Sequence, residues 1–216
     1  MVDCCEGDGY DGVFNDRFAK RVAKRYRKRG LNDTSRRMVE YLTEHGINGA
    51  TVLEIGGGVG EIQVELLRRG ASHATNLEIS ENYEQQAEQL LDESGLTGRV
   101  TRRFLDIAQS PGEVAPADVV VLHRVVCCYE DYEALLSAAG GHARHLLVFS
   151  HPPRNVVSRV SIWAENLVSR LRGKSFRSFV HQPRAMVAVL NDAGLTTRFI
   201  HRGRSWHVVG LERASQ

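Results

Sequence analysis

The residues of this chain best suited to chemistry gather around a run of glycines. Glu54 and Ile55 lead into Gly56-Gly57-Gly58-Val59-Gly60, a spacing that lets a backbone turn sharply and approach a ligand closely. A dinucleotide site asks for Gly-x-Gly-x-x-Gly or Ala, whose third small residue allows tight helix packing with the helix N-terminus facing a pyrophosphate. Counted from Gly56, that third position is Glu61, a carboxylate that a pyrophosphate would meet as an unwanted charge. Glu54 argues the same way, because an acid beside the turn suits the ammonium of a methionine moiety better than a phosphate. Glu78 can accept from both ribose hydroxyls, a feature shared with nicotinamide sites, and Asp106 can accept from an adenine amino group. Three acids after three successive apolar runs suit a cationic sulfonium nucleoside. Farther along, His123 and His151 have the pKa range of a general base, and Tyr129 could orient a ligand by hydrogen bonding.

Elements must exist to bring these residues together. Short β-branched runs alternate with helical stretches from residue 48 onward. Strands are expected at Thr51 to Ile55, Ala74 to Glu78, Val100 to Leu105, Asp118 to Leu122 and Leu146 to Ser150. Helices are expected at Gly60 to Arg69, Glu81 to Ser94 and Tyr132 to Ala139. Nearly continuous apolar strands in a β-α-β-α rhythm predict a parallel sheet covered on both faces. A helix over Pro183 to Ala193 then precedes two strand-like runs, Thr197 to His201 and Trp206 to Leu211, split by Gly203. The fold class read here is α/β, a doubly wound, mostly parallel seven-stranded sheet with a C-terminal hairpin.

Two segments fall outside that rhythm. Residues 1–47 read as an N-terminal helical arm or cover, with a basic helix from Asn15 to Arg29 and a second helix capped by Asp33 or Thr34 and running to about His45. Residues 48–216 read as the main domain. After the fifth strand, Pro152-Pro153 bars a helix before about Asn155. Val156, Val160, Trp163, Leu167 and Leu171 then form an apolar stripe, read as a core-packed cap over about residues 155–181, with an amphipathic membrane-surface helix as the alternative.

Bulk properties narrow the class. A chain of 216 residues, 42% hydrophobic and 25% charged, is in the range of one ordinary domain with a full core. No stretch reaches the ~18 apolar residues of a membrane span. Met1 to Tyr10 is acidic and glycine-rich, unlike a secretory leader, so a cytoplasmic protein is expected. The cysteines form adjacent pairs, Cys4-Cys5 and Cys127-Cys128, a poor layout for a disulfide framework. If the arm folds over the site, the pairs could form a thiolate cluster for a soft metal or arsenic species; small buried cysteines and an unstructured terminus are the plainer readings. Without Cys-x-x-Cys spacing no metal site is assigned. The net charge of +2 hides eight basic residues within Arg17 to Arg29, a solvated face or a contact for an anionic substrate, nucleic acid or membrane.

Three segments carry a family resemblance. Val52-Leu53-Glu54-Ile55-Gly56-Gly57-Gly58-Val59-Gly60, Asn76-Leu77-Glu78-Ile79-Ser80 and Leu105-Asp106-Ile107 resemble the successive cofactor motifs of class I S-adenosylmethionine-dependent methyltransferases, over about residues 48–150. The resemblance implies S-adenosyl-L-methionine as cofactor, S-adenosyl-L-homocysteine as product, and cofactor contacts from Glu54, Gly56, Gly57, Gly58, Gly60, Glu78, Ile79, Asp106, Ile107 and His123. Phe14-Asn15, Arg21 and Tyr26, with residues 150–181, are similar to the magnesium-protoporphyrin O-methyltransferases, which esterify a carboxylate and need no base. Val13 and the Cys127-Cys128 pair depart from that narrower pattern, where a tyrosine and a histidine are expected.

The acceptor should sit beyond the carboxyl ends of the strands. There His123, His151 and Tyr129 are the candidate catalytic residues, and Tyr26, Arg124 and Trp163 the candidate substrate contacts. His123 could instead touch the cofactor, and His151 could be a loop histidine bonded to backbone. The expected partner is a small-molecule acceptor methylated on oxygen or nitrogen, with the oligomeric state left open. Against an RNA methyltransferase, suggested by the basic helix, stands the sequence after strand four: base-amino methylation usually relies on Asn or Asp-Pro-Pro-aromatic there, and this chain has His123-Arg124-Val125-Val126. A thiol or arsenic methyltransferase using the cysteines, and a non-catalytic regulator on the same fold, complete the alternatives.

Overall fold

A computed structural model describes residues 12–214. Cys4 and Cys5, and any cluster they might form, lie outside the described residues. Helix α1 (Asp16–Arg29) starts where the Asn15 side chain accepts from Phe18 N, and it ends at Gly30, whose φ of 68° suits a residue without Cβ. Helix α2 (Asp33–Glu44) is capped by Asn32, one residue before the expected cap, because Asn32 Oδ1 accepts from Ser35 N at 3.1 Å.

The alternating region then unfolds as expected: β1 (Thr51–Ile55), α3 (Glu61–Arg68), β2 (His73–Glu78), α4 (Glu84–Glu93), β3 (Val100–Phe104), β4 (Ala117–Leu122), α5 (Tyr132–His142) and β5 (Ala143–His151). The chain finishes with α6 (Val156–Leu171), α7 (Pro183–Asp192), β6 (Leu195–Arg202) and β7 (His207–Arg213). Glu81–Tyr83, expected to be the start of a helix, forms a separate 3-10 turn before α4. That turn aims Tyr83 at the glycine loop.

The seven strands form one sheet in the order β3-β2-β1-β4-β5-β7-β6. Strands β1 to β5 pair parallel and β7 lies antiparallel to both β5 and β6, so six of the seven strands point the same way. From β1 the chain winds outward through β2 to β3, then returns to lay β4 on the other side of β1. The carboxyl ends of β1 and β4 therefore flank the point where winding reverses, the crevice in which open α/β sheets bind ligands.

Strand alternation divides the interior into two layers. On one face Val52, Val119, Val121 and Val148 pack with Met38, Val39, Tyr41 and Leu42 of α2 and with Ala19, Ala23 and Tyr26 of α1. On the other, Leu53, Val120, Leu122, Leu147 and Phe149 pack against Leu135, Leu136, Met186 and Leu190. Both N-terminal helices thus share the core that supports β1 and β4.

The expectation of a core-packed cap is corrected at α6. Asn155 caps that helix as the double proline required, accepting from Ser158 N at 2.8 Å. No residue of α6 is buried, however, and its apolar stripe faces outward, with Trp163 65% exposed. Polar residues hold its inner side: Asn166 Nδ2 donates to Ser178 O, and Ser178 N donates to Asn166 Oδ1, each at 2.8 Å. This pair of bonds between the Asn166 side chain and the Ser178 backbone, absent from any periodicity, holds that face inward.

Candidate functional site

The loop after β1 is built for close approach. Gly56, Gly58 and Gly60 hold φ of 63°, 54° and 82°, a region that side-chain-bearing residues rarely enter. Gly57 is required by crowding instead: a Cβ there would lie 2.1 Å from Asn76 Nδ2 and 2.9 Å from Glu54 Cδ. The loop therefore sits directly on the ends of β1 and β2.

Glu78, last residue of β2, fastens that loop. One carboxylate oxygen accepts from Gly58 N at 2.8 Å, and the other accepts from Ile79 N at 2.9 Å and Ser80 N at 3.3 Å. Arg102 of β3 donates to Gly58 O at 3.0 Å and pairs with Glu84 at 2.6 Å, so a cation stands beneath the same turn. Glu54 is buried and accepts from Gln63 N at 3.3 Å.

Three carboxyls in so little water change their acidity. Burial raises the pKa of Glu54 well above the carboxylate range, and the neighbouring Glu61 charge adds to the rise. Burial likewise raises Glu61 and Glu78, the latter despite its three backbone donors. Such a group of carboxyls is stabilised in its ionised form by a bound cation.

Two cavities meet at this loop. The first, about 130 Å³, is lined by Arg25, Tyr26, Asn32, Glu54 and Glu61 among others. The second, about 120 Å³, is lined by Phe14, Glu78, Ile79, Ser80, Val125 and Cys128. Gly56, Tyr83, His123 and Arg124 line both.

His123 and Arg124 form the partition at the end of β4. His123 Nδ1 lies 3.0 Å from Ser150 Oγ, which also accepts from Arg124 N at 2.9 Å. His123 Nε2 is buried without a hydrogen-bond partner among the described residues. Burial, with the nearby Arg124 charge, drives the His123 pKa down to about 3, so the ring is neutral near pH 7. Arg124 adopts φ of 61°, and its guanidinium carbon lies 4.8 Å from the centre of the Trp206 ring. A left-handed arginine costs roughly 1–3 kcal/mol and persists only where its surroundings enforce it. Here the Ser150 hydroxyl holds the backbone N–H on one side. Its carbonyl accepts weak bonds from Cys127 Sγ at 3.7 Å and Cys128 Sγ at 3.6 Å on the other.

Other expected residues lie at varied distances from these cavities. Asp106 Oδ2 accepts from Tyr129 OH at 2.8 Å and Oδ1 from Ala108 N at 3.0 Å, so its carboxylate binds Tyr129 and the local turn. Ile107 is buried in the second core layer. His151 is buried against the Pro152 carbonyl, 2.8 Å from Nδ1, and lines neither cavity. Trp163 stands on the outer face of α6. Tyr26 reaches the first cavity while its OH donates to Glu65 at 2.6 Å.

Tyr83, Arg25, Asn32, Ser150 and Arg102 also belong to the site, without being marked as such in the sequence. Tyr83 and Asn32 stood at helix starts misplaced by one to three residues, and Ser150 carried no signal beyond ending a strand. Arg25 was one of eight basic residues with nothing to distinguish it.

Comparison with known proteins agrees with this fold. A family model described as a methyltransferase domain matches residues 21–198. No curated protein matches. Among solved structures, magnesium protoporphyrin IX methyltransferase from Synechocystis PCC 6803, crystallised with bound SAH, has 21% identity and a TM-score of 0.73, covering 94% of this chain and 97% of that one. An O-methyltransferase family protein from Burkholderia thailandensis has 19% identity and a TM-score of 0.70, covering 97% of this chain and 64% of that one. An O-methyltransferase family 2 protein from Planctomyces limnophilus, in complex with apigenin, has 16% identity and a TM-score of 0.68 over 92% of this chain and 62% of that one.

Proposed function

This chain belongs to the methyltransferase-domain family, and from that premise we propose that it transfers a methyl group from S-adenosylmethionine to an oxygen or nitrogen of a small-molecule acceptor, with S-adenosylhomocysteine as product. The observation that carries the reading is the pair of cavities around the glycine loop, walled by buried Glu54 and Glu78 and half-buried Glu61 and sharing His123 and Arg124.

The residues present fit a sulfonium nucleoside. Three carboxyls whose burial outweighs the hydrogen bonds and arginine charges around them favour a ligand with positive charge. In this reading Glu78, Ile79 and Ser80 hold the nucleoside in the second cavity. Glu54 and Glu61 face the ammonium of the amino-acid end in the first, and Arg25 faces its carboxylate. The unpartnered His123 Nε2 points to a polar contact that a ligand would complete.

The bound sulfonium supplies an activated methyl carbon, so the protein mainly has to align an acceptor and exclude water. His123 is a poor general base at pH 7, since a group that holds a proton only at or below about pH 3 has little drive to take one. We therefore assign it a hydrogen-bonding and orienting role. An acceptor atom that arrives already deprotonated fits that arrangement, and Arg124 offers it a cation. Tyr129, its hydroxyl fixed by Asp106 and outside both cavities, is assigned a positioning role.

Isothermal calorimetry with S-adenosylmethionine and S-adenosylhomocysteine tests the donor half. Micromolar or tighter binding is expected; a well-folded sample that binds neither would sink the reading.

A further inference from the structure

Helix α6 is amphipathic in the reverse sense of an ordinary surface helix. At 100° per residue, Val156, Val160, Trp163, Leu167 and Leu171 form one stripe, extended sideways by Val157 and Val168. All seven are exposed, from 40% at Leu167 to 78% at Leu171. The opposite side, with Ser158, Ile162, Asn166 and Ser169, is the half-buried one. Beneath it Ser161, Glu165, Asn166 and Ser169 border an open hollow of about 470 Å³ against Val13, Phe176 and Ser178. The helix therefore rides on the body by a mostly polar side, Ile162 being its half-buried apolar exception, while Ala164 and Val168 reach the rim of the hollow.

Helices that pack on a core do the opposite. A contiguous apolar strip in water marks a surface awaiting a partner. The charges along the strip say which kind. Arg154, Arg159, Arg170 and Arg172 are exposed at its ends and flank, and none takes part in the ion pairs formed among the described residues. The sole acid on α6, Glu165, lies on the opposite side beside the hollow. The loop after α6 is also tied to the start of the basic arm, through Lys174 Nζ donating to Gly12 O at 2.7 Å and the Phe14 and Phe176 rings 5.4 Å apart.

We propose that the outward stripe of α6 docks this protein on an anionic lipid surface, with Val156, Val160, Trp163, Leu167 and Leu171 entering the acyl boundary and the flanking arginines meeting headgroup phosphates. Apolar side chains with a tryptophan on one side and arginines at the margin are what an interfacial helix needs. Pairing with a second copy would bring two arginine flanks together with no acid at the seam to offset them. No described helix is long and apolar enough to cross a membrane, so the attachment is peripheral.

Vesicle co-sedimentation of the full chain tests the proposal. Phosphatidylcholine vesicles containing phosphatidylglycerol should pull the protein down, and pure phosphatidylcholine should do so about tenfold less well or worse. Because the chain has two tryptophans, a Trp206→Phe variant leaves Trp163 as the reporter, and its emission should shift to the blue on the anionic vesicles. A Val160→Glu, Leu167→Glu double variant, at positions already exposed, should bind at least about tenfold more weakly while keeping its circular dichroism spectrum. Raised salt should weaken wild-type binding. Failure to bind either vesicle, equal binding to both, or a wild-type dimer that the double variant turns into a monomer would each overturn it.

Discussion

Glu78 illustrates how much one side chain can hold. Its two oxygens accept from three backbone N–H groups of the glycine loop and of the turn after β2 while it faces the second cavity. Glu78→Ala should weaken S-adenosylhomocysteine binding by roughly 1–3 kcal/mol, the usual loss when charged hydrogen bonds disappear. Glu78→Gln keeps an acceptor oxygen and should recover part of that loss, as calorimetry would reveal; identical affinities for all three proteins would remove Glu78 from the site. His123 makes its mark through acid stability. Its folded pKa of about 3 lies below the ordinary 6.5, so the unfolded chain binds more protons between those values. The stability tied to its neutral ring is present above pH 6.5 and drains away as pH falls toward 3. Urea midpoints of wild type should drop more steeply between pH 7 and pH 4 than those of His123→Asn, and parallel curves would show that the ring titrates normally.

At the scale of elements, the turn between β1 and α3 is the most constrained piece of the molecule. Gly57→Ala would drive a methyl into Asn76 and Glu54, both fixed within the buried cluster that includes Gln63. Overpacking of this kind costs typically 1–3 kcal/mol, and here it should also close the cavities. A lower urea midpoint together with lost nucleoside binding is the expected result, whereas an unaltered midpoint would mean that the loop can slide. Much of this element was legible beforehand. The glycine run, the strand ends carrying Glu54 and Glu78, and the alternating rhythm are local signals written in consecutive residues. Less legible were features set by partners distant in sequence. Residues 143–145 of β5, two of them exposed and all three outside the expected strand, join it at the end nearest α5. His151 and His123 looked equivalent as residues after strands, yet only His123 lines the cavities, because β5 carries His151 past the crevice toward β7. The spacing of the apolar residues in α6 reveals a stripe but not its direction, since Ser178 lies twelve residues from the asparagine that anchors the helix.

Over the whole molecule, the N-terminal arm is bound to the body mainly by apolar packing. Ala19, Ala23, Met38 and Leu42 are fully buried in the same layer as the strands. Among the polar ties, Arg27 and Glu93 meet at 2.7 Å but are both partly exposed, so that pair contributes at most about 1 kcal/mol. The Tyr26 hydroxyl is better shielded, and its bond to Glu65 couples the arm to α3, which follows the glycine loop. Tyr26→Phe should cost about 1 kcal/mol and lower the melting temperature by roughly 2–4 °C. A melting temperature unchanged in scanning calorimetry would mean that packing alone seats the arm.

The outward stripe of α6 also has a calorimetric consequence. Unfolding raises the heat capacity because apolar surface becomes hydrated, by ~12–15 cal/mol/K per residue in ordinary domains. Seven large apolar side chains of α6 are already hydrated in the native chain. Their part of that increment is therefore missing, and the stability curve in free solution should be flatter than chain length implies. The missing part returns with opposite sign when a surface covers the stripe, so attachment should carry a negative heat-capacity change, steepening its temperature dependence as the helix leaves water.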